Sequence, residues 1–266
     1  MSVRARAEDL GALASDLRAR HFGDTPLLLA NVWDAGSARA VVEAGHPVVA
    51  TSSAAVAASL GQADNEGMDA ETAFTAISRI AASVQAPVTA DIESGYGLPP
   101  AELVTRLLGA GAVGCNIEDT DHHGPGVLVD SSRQAQRVHD LCETAKAAGV
   151  DLVVNARVDV YLRDAVPTDM RATEAIRRGR LYAAAGATCV YPIGVTEPGD
   201  ISLLVAEIGA PVNIWLRRDT PTVAELRELG VRRISVAAAL YRATLAHTRQ
   251  LARELLGEDG DGLWDA

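Results

Sequence analysis

Two successive apolar segments of this 266-residue chain each end in a pair of carboxylates. Asp91 and Glu93 close one segment, and Glu118 and Asp119 close the next. Neighbouring parallel strands lie about 4.8 Å apart, so these acids would crowd one edge of a sheet and repel one another. Mg²⁺ relieves such repulsion by binding one or two carboxylates while it keeps several waters. Some of the acids could instead cap helices or stay solvated, but the repeated pairing favours a metal site.

Arg157 ends a further apolar run and would face the same edge. A fixed guanidinium suits a substrate carboxylate or phosphonate, because its planar fork binds two oxygens at once. An ion pair with Asp159 or Glu118 is an equal alternative, and the two roles can coexist. Earlier in the chain, Ser52 and Ser53 follow another apolar run, where their backbone amides could hold an oxyanion or form an ordinary turn.

Several weaker candidates also stand near the ends of apolar runs. Asp64 lies in a polar loop, where it could hold metal-bound water or be merely exposed. The other candidates for ligand contact are Trp33, Gly95, Tyr96, Gly97 and Asn213. The tryptophan could wall a pocket, and the two glycines allow close backbone approach of a ligand. The asparagine lies within an apolar run, so it needs a buried partner or a ligand.

These residues need a repeating framework to bring them together. Continuous apolar runs indicate strands that are buried on both faces, and their alternation with helical segments indicates a parallel sheet. Eight such units, in a chain near the roughly 250 residues typical of a closed barrel, predict a single (β/α)₈ TIM-type barrel. The predicted strands span residues 27–32, 47–51, 87–92, 112–117, 151–157, 188–192, 211–216 and 231–236.

We expect the barrel domain to span residues 1–256, with an N-terminal helix at residues 4–20. Residues 257–266 are acidic and rich in Gly, which predicts a mobile tail. A doubly wound open sheet is the structural alternative. It rarely needs eight units, and it usually carries a clear phosphate-binding Gly loop after its first strand.

Composition excludes several classes of partner. The net charge is −11 and no basic block is present, so we expect no nucleic-acid partner. No apolar stretch reaches membrane-spanning length and no signal core precedes the first helix, so we expect no membrane partner. The odd count of 3 cysteines argues against a disulfide framework and favours a reducing cytoplasm.

Short motifs stand in order along nearly the whole chain. They are Asn31-Val-Trp-Asp-Ala-Gly-Ser37, Thr51-Ser-Ser-Ala54 with Leu60-Gly61 and Asp64, Asp91-Ile-Glu-Ser-Gly-Tyr-Gly97, Ile117-Glu-Asp119 and Ala156-Arg-Val-Asp159. Together they resemble the isocitrate lyase/phosphoenolpyruvate mutase superfamily. The resemblance implies an eight-fold α/β barrel, 2-oxo acid chemistry, and a Mg²⁺ ion or Mn²⁺ in its place. It also implies homodimers or homotetramers in which the last helix packs onto a neighbouring subunit.

The resemblance further implies a role for individual residues. Asp91 would be the main protein ligand of the metal. Asp64, Glu93 and Glu118 would act mainly through metal-bound water, and Glu93 stands where the family more often has Asp. The anion-binding residues would be Ser52, Ser53 and Ala54, which hold the substrate's carboxylate or phosphonate, with Arg157 opposite.

The segment after the fourth predicted strand departs from the family pattern. Carbon–carbon lyases of the family carry a Lys-(Lys/Arg)-Cys-Gly-His gate there, whose Cys acts as an acid, and phosphonate-cleaving members carry Lys and Asn. Residues 120–130 contain neither pattern. His122 and His123 could supply an acid or base near neutral pH, or they could be a solvated pair.

The sequence therefore predicts a cytoplasmic, Mg²⁺-dependent lyase that acts on a small 2-oxo acid or 2-hydroxy diacid. The metal would polarise the oxo oxygen and stabilise an enolate while a bond to the adjacent carbon breaks or forms. The predicted catalytic residues are Arg157, Glu118, His122 and His123. Two alternatives stay open. The same site could act on a carbon–phosphorus bond, as a phosphoenolpyruvate mutase or phosphonopyruvate hydrolase does, or it could bind an oxo acid without turnover.

Overall fold

A computed structural model of the chain describes residues 3–124, 127–163 and 166–256, with side chains from residue 8 onward. Short parallel strands alternate with helices throughout. The strands are β1 (Leu27–Leu29), β2 (Asn31–Val32), β3 (Val49–Thr51), β4 (Val88–Asp91), β5 (Gly114–Glu118), β6 (Val153–Val158), β7 (Cys189–Pro192), β8 (Asn213–Trp215) and β9 (Arg233–Ser235). The helices are α1 (Val3–Arg20), α2 (Ala35–Glu43), α3 (Ser53–Ser59), α4 (Ala70–Ala82), α5 (Pro100–Ala110), α6 (Ser131–Ala147), α7 (Arg171–Ala184), α8 (Pro198–Ile208), α9 (Val223–Glu228) and α10 (Ala239–Leu256), with a 3₁₀ turn at Thr168–Met170.

The strands form a ring in two hydrogen-bonded sections. β2 to β7 pair in chain order, and the other section has the order β1-β9-β8. β1 and β2 are one stretch of chain interrupted at Ala30, and a parallel bridge between Val190 and Val212 joins the β7 and β8 sides. Every pairing between these strands is parallel, so their carboxyl ends open at one mouth. The predicted barrel is confirmed, with eight strand positions around the ring.

The opposite end of the barrel is closed by α1. Leu10, Ala14 and Leu17 of this helix are buried together with Leu27 and Val153 from the starts of two strands. A larger apolar core lies between the strands and the surrounding helices. Because one end and the outer wall are filled with apolar side chains, a ligand can approach the barrel interior only from the mouth.

Local sequence explains how the chain turns from strand to helix at the mouth. The side chain of Asp34 accepts a 2.7 Å hydrogen bond from the Ser37 backbone N–H and caps α2. Thr222 and Glu225 form a reciprocal capping box at the start of α9. Pro100 occupies the first turn of α5, where the missing N–H of proline costs nothing.

Two features differ from the sequence prediction or extend it. The small-residue run after β3 forms the helix α3, which alanine-rich composition permits but periodicity did not indicate. The last helix, α10, has no buried residue and leaves Leu245, Leu255 and Leu256 exposed. The predicted tail at residues 257–266 lies outside the described residues. None of the described helices combines the length and apolar character needed to cross a membrane.

Candidate active site

A cavity of about 400 Å³ opens at the mouth, above the carboxyl ends of the strands. Six of the predicted site residues line it, namely Ser52, Ser53, Ala54, Asp64, Asp91 and Arg157. They come from the ends of β3, β4 and β6 and from the loop after α3. The parallel barrel therefore gathers residues that are far apart in the sequence into one concave site.

Asp91, the last residue of β4, contributes one engaged and one unpartnered carboxylate oxygen to the site. Its Oδ2 accepts hydrogen bonds from the backbone N–H and the hydroxyl of Ser53, at 3.1 and 2.8 Å. Its Oδ1 is buried and finds no hydrogen-bond donor within the described ranges. A buried acceptor without a partner is costly in free energy, so Oδ1 is suited to a cation.

Glu93 lies behind Asp91 in a turn with left-handed backbone geometry, at φ 51°. Its Oε2 accepts a hydrogen bond from the backbone N–H of Glu66. Burial, and then the negative charge of Asp91, raise the pKa of Glu93 to about 8, and the charges of Asp64 and Glu118 add to this effect. The acids predicted to crowd one sector of the mouth therefore interact electrostatically, which a divalent cation would relieve.

Glu118, at the end of β5, lies between Arg157 and His122. One carboxylate oxygen forms an ion pair with Arg157 Nη1, and the other contacts His122 Nε2. Burial raises the pKa of Glu118 despite the opposing charge of Arg157. The hydrogen bond to Glu118 in turn raises the pKa of His122. Both shifts favour a proton held between Glu118 and His122.

Arg157 is held in place by a buried network. The Arg157 guanidinium donates two hydrogen bonds to the Asp159 carboxylate, at 2.7 Å from Nε and 3.0 Å from Nη2. The backbone N–H of Asp159 donates to Asp119 Oδ1 at 2.9 Å, and Asp119 Oδ2 accepts from Arg178 Nη1 at 3.0 Å. Burial alone would lower the pKa of Arg157, but the charges of Asp159 and Glu118 outweigh it and raise the pKa. The guanidinium is thus a fixed positive charge, and Asp119 supports it rather than facing a ligand.

The donor set fits a Mg²⁺ ion that is held mostly by water. Among the described residues, no three His, Cys, Asp or Glu side chains converge closely enough to enclose a metal by themselves. Asp91 Oδ1 offers one direct ligand, and Asp64 lines the same cavity, which leaves room for metal-bound waters. Within the described part of the chain, the closed tetrahedral donor set of a structural zinc site does not occur at this mouth.

Five residues predicted to contact a ligand do not line this cavity, namely Trp33, Gly95, Tyr96, Gly97 and Asn213. The Trp33 ring packs edge-on against Tyr241, with ring centroids 5.2 Å apart. Tyr96 donates its hydroxyl to Glu93 Oε1 at 3.3 Å. Asn213 is fully buried, and its Nδ2 donates to Ser235 Oγ at 3.3 Å. For Trp33, Tyr96 and Asn213, a contact within the protein therefore takes the place of the predicted ligand contact.

The two histidines of the loop after β5 also lie outside the cavity. His122 is buried against Glu118, whereas His123 is exposed and forms a 2.6 Å ion pair with Glu66. Glu66 Oε1 accepts a further hydrogen bond from Ser94 Oγ at 2.5 Å. His123 instead lines a separate cavity of about 770 Å³ next to α5 and α6. Neither imidazole touches the space in which Asp91 and Arg157 meet.

Sequence reasoning missed several residues that line the cavity, including Asn31, Asn65, Asn116, Arg163, Trp215 and Arg242. Arg163 follows β6, and its Nε donates to Thr120 Oγ1 at 3.3 Å. Arg242 comes from α10, far from any strand end. Asn116 could have been found, because it alternates with Glu118 in β5 and so faces the same side. The additional arginines make the cavity more favourable for an anion.

Comparison with known proteins places this geometry in context. A family model described as Phosphoenolpyruvate phosphomutase matches residues 17–256. The uncharacterised protein Rv1998c of Mycobacterium tuberculosis H37Rv is 32% identical over 244 residues, which cover 91% of this chain and 89% of that protein. The match therefore extends over the whole barrel and is not limited to the mouth.

Solved structures share the fold over most of their length. A Burkholderia cenocepacia J2315 protein described as a candidate phosphonomutase aligns with a TM-score of 0.85 and 39% identity, covering 90% of this chain and 98% of that one. A 2,3-dimethylmalate lyase of the PEP mutase/isocitrate lyase superfamily aligns with a TM-score of 0.81 and 27% identity, covering 91% and 87%. Proteins of this fold thus include a lyase.

Proposed function

Since the chain belongs to the phosphoenolpyruvate phosphomutase family, within the isocitrate lyase/phosphoenolpyruvate mutase superfamily, we propose that it is a Mg²⁺-dependent lyase. Its substrate is a small 2-oxo acid or 2-hydroxy diacid. The reaction breaks or forms a carbon–carbon bond next to the oxo carbon, by retro-aldol cleavage or decarboxylation. The observation that carries this proposal is that Asp91, with its unpartnered Oδ1, and the fixed cation Arg157 line one cavity.

Each of these residues has a distinct task in the proposed reaction. Arg157 binds the substrate carboxylate, and its two hydrogen bonds to Asp159 fix the orientation of that carboxylate. Asp91 would hold the metal directly, and Asp64, Glu93 and Glu118 would hold it through water. When bound, Mg²⁺ supplies electrophilic stabilisation of the negative charge that develops on the oxo oxygen. His122 Nε2 contacts Glu118 outside the cavity.

The main alternative is chemistry at a carbon–phosphorus bond. The Burkholderia cenocepacia protein described as a candidate phosphonomutase, at 39% identity, favours it. The absence of the usual basic gate residues from the sequence at 120–130 disfavours it. A barrel that binds an oxo acid without turnover is a further alternative, because the usual gate acid is also missing from this segment.

An assay of pyruvate release separates these alternatives. The protein is incubated with a panel of 2-hydroxy diacids, oxaloacetate and phosphonopyruvate, with and without Mg²⁺. We expect Mg²⁺-dependent release from a diacid or oxaloacetate, and none from phosphonopyruvate. Asp91→Asn and Arg157→Met should each lower kcat/KM by about 100-fold or more. Arg157→Met removes the group that binds the fixed charge of the substrate carboxylate, and Asp91→Asn weakens the site of the metal that stabilises the charge developing on the oxo oxygen.

The matched control is Arg180→Met, because Arg180 pairs with Glu207 on the outer surface of the barrel. It should retain wild-type turnover. Release of pyruvate from phosphonopyruvate alone would support hydrolysis of the carbon–phosphorus bond. A mutase would isomerise phosphonopyruvate to phosphoenolpyruvate without releasing pyruvate, and ³¹P NMR of the same mixture detects that conversion. Binding of the diacids without any turnover would support the non-catalytic barrel, and turnover that ignores both Mg²⁺ and Asp91 would refute the proposal.

We also propose that the chain assembles into homodimers or homotetramers through α10. This helix carries no buried residue, and it exposes Leu240, Leu245, Leu255 and Leu256. An amphipathic helix that leaves its leucines in solvent gains free energy when a second subunit covers them.

A further inference from the structure

An arginine lies inside the barrel, where apolar branched side chains normally fill the space. Arg233 of β9 is only 1% exposed, and burial lowers the pKa of its guanidinium. No carboxylate of the described residues forms an ion pair with it, and its Nε has no hydrogen-bond partner there. Burying an unpaired charge lowers the stability of the fold, so stability does not explain why an arginine occupies position 233.

The two terminal nitrogens of the Arg233 guanidinium contact neutral partners. Nη1 lies 3.3 Å from His21 Nε2, and Nη2 donates to Asn116 Oδ1 at 3.0 Å. His21 Nδ1 lies 2.8 Å from the Leu17 carbonyl oxygen, which can only accept, so Nδ1 carries the proton. His21 Nε2 therefore accepts the hydrogen bond from Arg233. The histidine and the arginine form one ordered unit beneath the cavity.

This unit fixes the orientation of the Asn116 amide. Arginine has donors and no acceptor, so Asn116 must present its oxygen, not its nitrogen, to Arg233. Asn155 Nδ2 donates to the same oxygen at 2.8 Å. With both donors on Oδ1, the Nδ2 group of Asn116 is directed away from them. Asn116 lines the cavity, and its Nδ2 has no acceptor among the described residues.

The strand register locates this free donor. Asn116 pairs with Asp91 of β4 on one side and with Asn155 of β6 on the other. Arg157 is two residues beyond Asn155 and so faces the same side of its strand. The Asn116 amide thus lies between the residue proposed to hold the metal and the residue proposed to hold the carboxylate.

We propose that Asn116 contacts the substrate by donating an Nδ2 hydrogen bond to an oxygen of the 2-oxo acid, and that Arg233 is the positioning residue that fixes this amide. The proposal rests on the proposed function, because it needs an oxo acid that spans Asp91 and Arg157. It adds a neutral donor to the two charged groups, at the point where the oxo and carboxylate oxygens of such a ligand meet.

The test measures the affinity for oxalate, in the presence of Mg²⁺, by isothermal titration calorimetry. The variants are Asn116→Leu, Arg233→Met and the double variant. Loss of a hydrogen bond to a charged oxygen should weaken oxalate binding by about 10- to 100-fold in Asn116→Leu. Arg233→Met should weaken it by several-fold while the Tm stays the same or rises, because a buried unpaired charge is removed.

The double variant separates positioning from a direct effect of charge. If Arg233 acts through Asn116, Arg233→Met has no further effect on affinity in the Asn116→Leu background. The matched control is Arg232→Met, since the adjacent Arg232 donates to the Gly23 carbonyl at the opposite end of the barrel. This control should bind oxalate as the wild type does.

The possible outcomes distinguish the inference from the function on which it rests. The inference would be overturned if Asn116→Leu bound oxalate with wild-type affinity. It would also be overturned if Arg233→Met weakened oxalate binding by the same factor in the wild type and in Asn116→Leu. Either result would leave the proposed function standing. A wild-type protein that binds no oxalate with Mg²⁺ would overturn both. If a variant fails to fold, a crystal structure of the wild type with Mg²⁺ and oxalate decides, because Asn116 Nδ2 must lie within about 3.2 Å of an oxalate oxygen.

Discussion

Acid should destabilise the folded chain through His21, at the end of α1. This imidazole is fully buried, donates from Nδ1 to the Leu17 carbonyl and accepts at Nε2 from Arg233. Burial, and then the positive charge of Arg233, lower its pKa from 6.5 to about 3. Protonation of the folded state would place two positive charges side by side in the barrel interior, so the folded protein resists it.

The magnitude follows from the difference between the folded and unfolded pKa values. Because the folded pKa of His21 is the lower one, the unfolded chain binds the extra proton. The contribution to stability is complete above the unfolded value of 6.5 and is lost as the pH falls toward about 3. Between about pH 8 and about pH 5, this linkage lowers the free energy of unfolding by about 2 kcal/mol.

Urea denaturation at a series of pH values measures this effect in the wild type and in His21→Gln. We expect the wild type to lose about 2 kcal/mol more than the variant over that interval, since all other titrating groups are shared. His139→Gln, at an exposed position on α6, serves as the control and should follow the wild type. Parallel pH profiles for the wild type and His21→Gln would refute the assignment of a neutral, buried His21.

Two further predictions concern the barrel wall and the last helix. Arg178→Met leaves the buried Asp119 carboxylate without its ion pair and should cost about 3–5 kcal/mol in chemical denaturation, whereas the exposed Arg177→Met should cost under about 1 kcal/mol. Equal small losses in both variants would contradict this role for the buried pair. Sedimentation velocity should show a dimer or tetramer that Leu245→Asp dissociates and Leu60→Asp, at an exposed position on another element, does not. A wild-type monomer would contradict assembly through α10.

The barrel itself could be predicted from sequence because its signals repeat. Most strands lie in mainly apolar segments, and both faces of a parallel strand are buried, so the pattern recurs from unit to unit. The helix α3 escaped prediction because its alanines carry no apolar periodicity. The interruption of the first strand at Ala30 could not be predicted either, because alanine does not stand out within an apolar run. The local hydrophobic pattern therefore predicted the strands and most helices, and the number of strand–helix units predicted that the sheet closes into a barrel.

The candidate site was only partly predictable. The position of Asp91 and Arg157 at one cavity could be predicted because strand ends converge at one mouth of a parallel barrel. Asn116 was missed although it alternates with Glu118 in β5. Arg233 was missed because its importance depends on which donor meets which acceptor across the barrel interior. Arg242 was missed because helix α10 brings it to the mouth from outside the strand pattern. Asn213 was expected to need a partner, and Ser235 on the adjacent strand supplies it.

A crystal structure of the protein with Mg²⁺ and oxalate tests the central claim most directly. We expect the cation about 2.1 Å from Asp91 Oδ1, with water completing its coordination shell, and an oxalate carboxylate paired with Arg157 in the same cavity. A cation bound away from Asp91, or oxalate bound outside the cavity that Asp91 shares with Arg157, would contradict the proposal of a metal-dependent oxo acid site.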